Sequence, residues 1–137
     1  MIFLPIKPQY AFAIRDNEKL VEFRKRPFRN KDSKYCVVYV TSPHKKIIGY
    51  FSISRVNEGS PKEIWKKFNK VGGIKKTDYY EYFKGSVMAY AIEIEEFYPL
   101  KEPVDPFEKI EGFNIPQSFR YLSGKEINTL LPSFSAI

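Results

Sequence analysis

Asn17-Glu18-Lys19-Leu20-Val21-Glu22-Phe23-Arg24 is the stretch whose reading decides the fold. It stands where a short helix hands over to a strand. With Leu20 to Arg24 extended, Val21 and Phe23 project to one side and Glu22 and Arg24 to the other. Val21 and Phe23 make the natural core face. Glu22 and Arg24 then occupy an open face, with Lys19 at the turn beside them. A carboxylate held between cations makes a compact polar site, able to accept a hydrogen bond at the carboxylate and donate several from the cations. The same residues also describe a surface salt-bridge cluster, which is common and weak. Residue types alone leave both readings open.

Outward from this stretch, Ile2 to Ile6 reads as a first strand and Pro8 to Arg15 as a helix with proline in its first turn. Tyr35 to Val40 is a β-branched and aromatic run, hence a strand. Lys46 to Val56 is another, with Ile47, Gly49, Phe51 and Ile53 expected on one face. Ser60-Pro61-Lys62-Glu63 is a capping box with proline at the first helical position. Its helix sets Ile64, Trp65 and Phe68 toward the core, and Val71-Gly72-Gly73 ends it. Thr77 is expected to cap a short helix through about Phe83. Val87 to Glu95 alternates as a strand with Met88, Tyr90, Ile92 and Ile94 facing one way. Phe97 to Pro116 reads as proline-rich and irregular, with a short helix near Pro106 to Ile110. Ser123-x-x-Glu126 is a second capping box, opening a helix through about Leu131. Five to six strands with short peripheral helices predict an α+β mixed barrel. The whole chain, 1–137, reads as one domain with a C-terminal helix at about 123–131.

Composition narrows the chemistry. Hydrophobic content of 43% and aromatic content of 17% fit an ordered globule. No apolar run approaches the ~20 residues that span a membrane, and the start lacks a basic leader. The chain has one His and one Cys, so the usual zinc ligand sets do not assemble and no disulfide forms within it. Cys36 lies in an apolar run and reads as a buried structural thiol, which together imply the cytoplasm. His44 follows Pro43 in a turn and has no local partner for a catalytic triad. Val71-Gly72-Gly73-Ile74 lacks the spacing of a phosphate loop. No cofactor site is expected. Charge is segregated: residues 1–76 hold 18 Lys and Arg against 6 Asp and Glu, whereas residues 77–137 hold 5 against 10. The densest basic run is Arg24 to Lys34, a field suited to a polyanion or to solubility alone. Phe28 within it suggests a ring on which a base stacks.

Asn17-x-Lys19-x-x-Glu22-x-Arg24 resembles the Gly-x-Lys-x-x-Glu-x-Arg signature of the ASCH domain. It departs at the first position alone, where asparagine suits the same left-handed turn. Leu4-Pro5-Ile6-Lys7-Pro8, Tyr39-Val40-Thr41-Ser42-Pro43, Gly49-Tyr50-Phe51 and Pro116-Gln117-Ser118-Phe119-Arg120-Tyr121-Leu122 are similar to the matching segments of one ASCH branch. They occur in the same order, over roughly residues 1 to 122. The resemblance implies a small β-barrel related to the PUA and EVE folds that bind RNA or modified bases. In the branch that hydrolyses acetylated cytidine, the position of Lys19 is the catalytic lysine and that of Glu22 a threonine nucleophile. Glu22 is a carboxylate, so that mechanism does not carry over. For members that are nucleases or RNA binders, the implied set is a lysine with a serine or tyrosine.

These readings converge on a cleft lined by Lys7, Lys19, Glu22, Arg24, Ser42, Gln117, Ser118 and Arg120 that receives one nucleotide. Lys7 and Ser42 join it on the branch's pattern. Arg26 and Arg29 are expected on the flanking phosphates, where affinity mostly arises. The expected partner is single-stranded or modified RNA, with DNA open because related folds accept flipped bases. The alternative is an amidohydrolase or ribonuclease acting through Lys19 and Glu22, with Ser118 the best nucleophile present. A third reading gives the acidic second half a protein partner. Ile127, Leu130 and Leu131 suit packing on the barrel or pairing of two chains.

Overall fold

The central strand is β3 (Tyr35–Val40), buried at five of its six positions, as its unbroken apolar run requires of a strand covered on both faces. In the computed structural model, which describes residues 1–134, it lies between β4 (Lys46–Gly59) and β1 (Ile2–Ile6) in a six-stranded mixed sheet. The full order is β2 (Val21–Arg24), β5 (Ala89–Val104), β4, β3, β1 and β6 (Arg120–Tyr121). β1 runs parallel to β3, and the other neighbours are antiparallel. The sheet curls into a half-barrel of the α+β PUA-like kind. Residues 135–137 of the expected domain lie outside the described residues.

Three apolar clusters hold it. Ile2, Leu4, Ile6, Cys36, Val38, Val40, Phe51 and Ile92 fill the concave face together with Ala11 and Ile14 of α1 (Pro8–Arg15). Phe3, Val37, Tyr39 and Ile47 point the opposite way and are covered by Phe113, Leu122, Leu130 and Leu131. The helix α5 (Gly124–Leu130) therefore packs on the sheet, after the short α4 (Pro106–Lys109). Val21, Phe23, Ala89 and Ala91 form the third cluster with Ile64 and Phe68 of α2 (Pro61–Phe68) and Tyr79 of α3 (Lys76–Tyr82). Trp65 packs at its margin, as the core reading of that helix face required. No helix among the described residues is long and apolar enough to cross a membrane.

Local signals placed most elements well. Both capping boxes are formed, Ser60 with Glu63 and Ser123 with Glu126, and Asn17 adopts φ 60° at the end of α1. Four expectations are corrected. β5 does not stop at Glu95 but continues to Val104 through Pro99 and Pro103. β2 pairs it only from Tyr90 to Glu93, so beyond that point β5 is an edge, where a missing N–H is tolerated. Ile47 does not share a face with Phe51 and Ile53, because irregular pairing between Ile47 and Gly49 resets the alternation. Thr77 lies within α3, whose N-cap is Lys75 without a side-chain bond. Met88 precedes β5 and is exposed.

Gly49 marks a close approach of β4 and β5. A Cβ there would lie 2.4 Å from the Tyr98 carbonyl oxygen and 2.5 Å from Phe97 Cζ. Gly49→Ala is expected to destabilise the protein by about 1–3 kcal/mol through overpacking, measured by denaturant unfolding. A change below about 0.5 kcal/mol, the usual range at uncritical surface sites, would show that the strands separate freely.

Candidate nucleic-acid interface

β2 and the β1–β6 pair end the strand order on opposite sides, and curling brings them face to face without a ladder between them. Arg24 bridges this seam. Its Nη1 donates to the Pro5 carbonyl at 3.3 Å and its Nη2 to the Ser118 carbonyl at 2.6 Å. β1 is open at Pro5 because β6 reaches only Ile2 and Phe3. Glu22 sits opposite Ile92 in the ladder and so shares its concave face. Its Oε2 accepts from Arg24 Nη1 at 3.2 Å, and its Oε1 lies 3.6 Å from Lys19 Nζ.

Lys19 is drawn inward by its backbone. The left-handed Asn17 ends α1, the amides of Glu18 and Lys19 donate to the Ala13 carbonyl, and Leu20 N–H donates to the Val71 carbonyl at 2.9 Å. The ammonium then donates to the Gly72 carbonyl at 2.5 Å and lies 4.9 Å from the Phe23 ring centroid and 5.3 Å from that of Tyr10. Gly73 has φ +60°, and a Cβ there would come within 2.6 Å of Lys19 Cβ. The two glycines read as a helix stop are thus also the seat of the lysine. Lys19, Glu22 and Arg24 are 2%, 6% and 8% exposed. The cluster is buried, not a surface salt bridge. Desolvation pulls the Lys19 ammonium below its ordinary pKa, with Glu22 pulling the other way.

These side chains line a cleft of about 900 Å³. Lys7, Gln9 and Tyr10 come from the N-cap and first turn of α1, Thr41 from the turn after β3, and Lys25 and Arg26 from the segment that follows β2. Asp78, Glu81 and Tyr82 of α3 form another wall, and the segment Ile115 to Ser118 a further one. Burial raises the hydroxyl pKa of Tyr10 and of Tyr82, the latter against the nearby Arg24 cation. Arg24 Nε is buried without a partner. The site offers a rigid cationic floor, two phenols and a rim of both signs.

Of the residues expected in the cleft, Lys7, Lys19, Glu22, Arg24, Gln117 and Ser118 line it, and Arg26, expected on the flanking phosphates, lines it as well. Ser42 does not, because its turn carries it outward and leaves Thr41 at the wall. Arg120 does not either: it pairs with Glu126 and lies 4.6 Å above the Phe113 ring. Strand alternation misled here because β6 is only two residues long, so Gln117 to Phe119 follow a loop. Tyr121 is accordingly exposed, and its hydroxyl accepts from the Asn30 N–H. Arg29 is exposed on the basic loop outside the cleft wall. Phe28 is no free platform, since its ring meets Phe119 edge-on at 4.9 Å and packs on the core. Tyr10 and Tyr82 were not expected in the site. Tyr10 lies in the amphipathic first helix and Tyr82 in a tyrosine-rich one, so neither carried a local signal. Cys36 is fully buried and His44 exposed, as expected.

Barrel, seam and buried Lys-Glu-Arg floor define a PUA-like domain. No family model matches the chain. A solved structure, ASCH from Zymomonas mobilis, superposes with a TM-score of 0.88 at 26% identity, covering 98% of this chain and 95% of that one. The ASCH domain-containing ribonuclease of Zymomonas mobilis subsp. mobilis is 27% identical over 132 residues, 95% of this chain and 89% of that protein. Large ribosomal subunit protein uL22 of Ureaplasma parvum serovar 3 is 34% identical over 125 residues, and the match spans 88% of this chain but 39% of that protein. In sequence and in fold the chain is thus similar to ASCH domain proteins.

The lowered Lys19 pKa has a sign. The unfolded chain binds this proton more tightly, so Lys19 costs stability at neutral pH, and the cost fades as pH rises through the lowered value toward 10.5. The stability of wild type relative to Lys19→Met, measured by urea unfolding, is expected to rise as the pH is raised from neutrality toward 10.5. A flat difference would show that the ammonium is solvated.

Proposed function

We propose that this ASCH domain binds single-stranded RNA, holding one nucleotide in the cleft while the basic loop after β2 takes the flanking phosphates. The observation that carries this reading is the buried Lys19–Glu22–Arg24 floor beneath a cleft of about 900 Å³ with Lys7, Lys25 and Arg26 at its rim. That volume is in the range of small-ligand sites. Gln117 and Glu81 bring amide and carboxylate groups suited to base edges. The name of the Zymomonas relative, a ribonuclease, favours RNA over DNA. A single thiol buried in the core suits a reducing compartment, and we place the protein in the cytoplasm.

Hydrolysis of the RNA phosphodiester is the second reading, and Lys19 favours it. Its ammonium gives one N–H to Gly72 and leans another on Glu22, which leaves a third for a phosphate oxygen in the cleft. Glu22 has each oxygen committed to a cation, so it orients Lys19 and is a poor base. Tyr10 and Ser118 are the groups left to move protons or attack.

Anisotropy titration with single-stranded RNA over a range of salt tests the binding. Arg26→Ala with Arg29→Ala is expected to weaken all sequences alike and to lower the log–log salt slope by about 1.4, at ~0.7 per phosphate contact. An unchanged slope removes the loop from the phosphate path. Turnover is read in the same tubes: cleaved RNA that disappears with Lys19→Met makes the protein a ribonuclease. Cleavage surviving that change excludes the lysine. Release of cytidine from acetylated cytidine would restore the amidohydrolase alternative.

A further inference from the structure

A smaller hollow of about 220 Å³ opens beside the cleft, lined by Gln9, Tyr10, Gly73, Ile74, Lys75 and Asp78. Gln9, Tyr10, Ile74 and Asp78 line the main cleft as well, so the two spaces adjoin along these four side chains. The main cleft is flanked elsewhere by Lys25 and Arg26, at the root of the basic loop. Lys75 lines the hollow, and Lys70 and Lys76 stand near it in the chain, all three exposed. None of the three has a carboxylate within ion-pair distance among the described residues.

We infer that the two spaces act as one groove, open at both ends, that threads an internal stretch of single-stranded RNA, leaving past Tyr10 through the hollow to Lys70, Lys75 and Lys76. This rests on the RNA-binding reading above and adds the second phosphate path and the polarity-free, end-independent mode of binding. A blind pocket accepts a terminal nucleotide, whereas a groove with unpaired cations at two exits suits a continuing backbone. Asp78 and Glu81 on the α3 wall repel phosphates and accept hydrogen bonds from hydroxyl and amino groups. They therefore turn sugars and base edges toward α3 and keep the backbone on the lysine side. Tyr10, half-buried between the two spaces, presents a ring where the strand crosses from one to the other.

The test compares linear and covalently circular single-stranded RNA of one sequence by anisotropy over a range of salt, with wild type and with Lys70→Ala/Lys75→Ala/Lys76→Ala. All three lysines are exposed, and circular dichroism checks that the variant folds. Circle and line are expected to bind wild type with equal affinity. The triple variant is expected to lose several-fold affinity for both, with a salt slope lower by about 2, from three contacts at ~0.7 each. A dinucleotide that fills only the cleft should bind both proteins alike. Wild type that holds the line but rejects the circle overturns threading and leaves RNA binding intact. An unchanged slope in the triple variant removes the second exit. Wild type that binds neither RNA overturns both this inference and the function it rests on.

Discussion

A carboxylate buried between two cations governs this molecule. Glu22 leaves water on a strand whose other face carries Val21 and Phe23 into the third core cluster. Such burial is costly unless each charge is matched and each remaining donor is placed. Lys19 and Arg24 do the matching, and three of their donors reach the carbonyls of Gly72, Pro5 and Ser118, while Arg24 Nε stays unpartnered. Those three carbonyls belong to the α2–α3 loop, the first strand and the C-terminal segment. One ion cluster thus ties β2 to three parts of the chain with which it shares no ladder among the described residues. Removing one partner of a buried pair typically costs about 3–5 kcal/mol because the other is left uncompensated. The seam and the site therefore stand or fall together.

This coupling explains why a barrel can keep an open side. A closed ladder between β2 and β1 would satisfy the backbone but leave no cleft. Here the edge carbonyl of Pro5 is satisfied by a guanidinium, and proline has no N–H on that edge to orphan. The gap is then free to hold Lys7, Tyr10 and Ser118 around the ionic floor. Segregated charge follows the same geometry. Most Lys and Arg fall in residues 1–76, the part that builds β2, the basic loop and the α2–α3 turn around the cleft.

What was legible in the sequence was local. Asn17 at a helix end, two capping boxes and the apolar run of β3 each carry their own physical signal, and each sits as read. The motif spacing put Lys19, Glu22 and Arg24 together, but not their burial, because the covering loop is some 50 residues away (the Lys19–Gly72 bond spans 53). Long-range pairing was illegible for the same reason. β5 survives two prolines only because β2 is too short to follow it, and no window on β5 contains that fact. Arg120 and Phe28 show the opposite error: residue types suited to RNA were claimed by Glu126, Phe113 and Phe119.

The commitment of Glu22 also bears on what chemistry this branch of the fold can run. A nucleophile must keep a lone pair free and approach its electrophile. Glu22 has Oε1 turned to Lys19 and Oε2 to Arg24, at 6% exposure, so neither condition holds. A threonine at this position would leave Lys19 without its counterion and Arg24 with two carbonyls alone. The carboxylate therefore trades a nucleophile for a rigid pair of cations aimed at the cleft, an arrangement that stabilises negative charge more than it forms bonds. On the proposed function, a reaction here would draw its moving proton from the rim, where Tyr10 and Ser118 stand, with the cationic floor left to hold an anion.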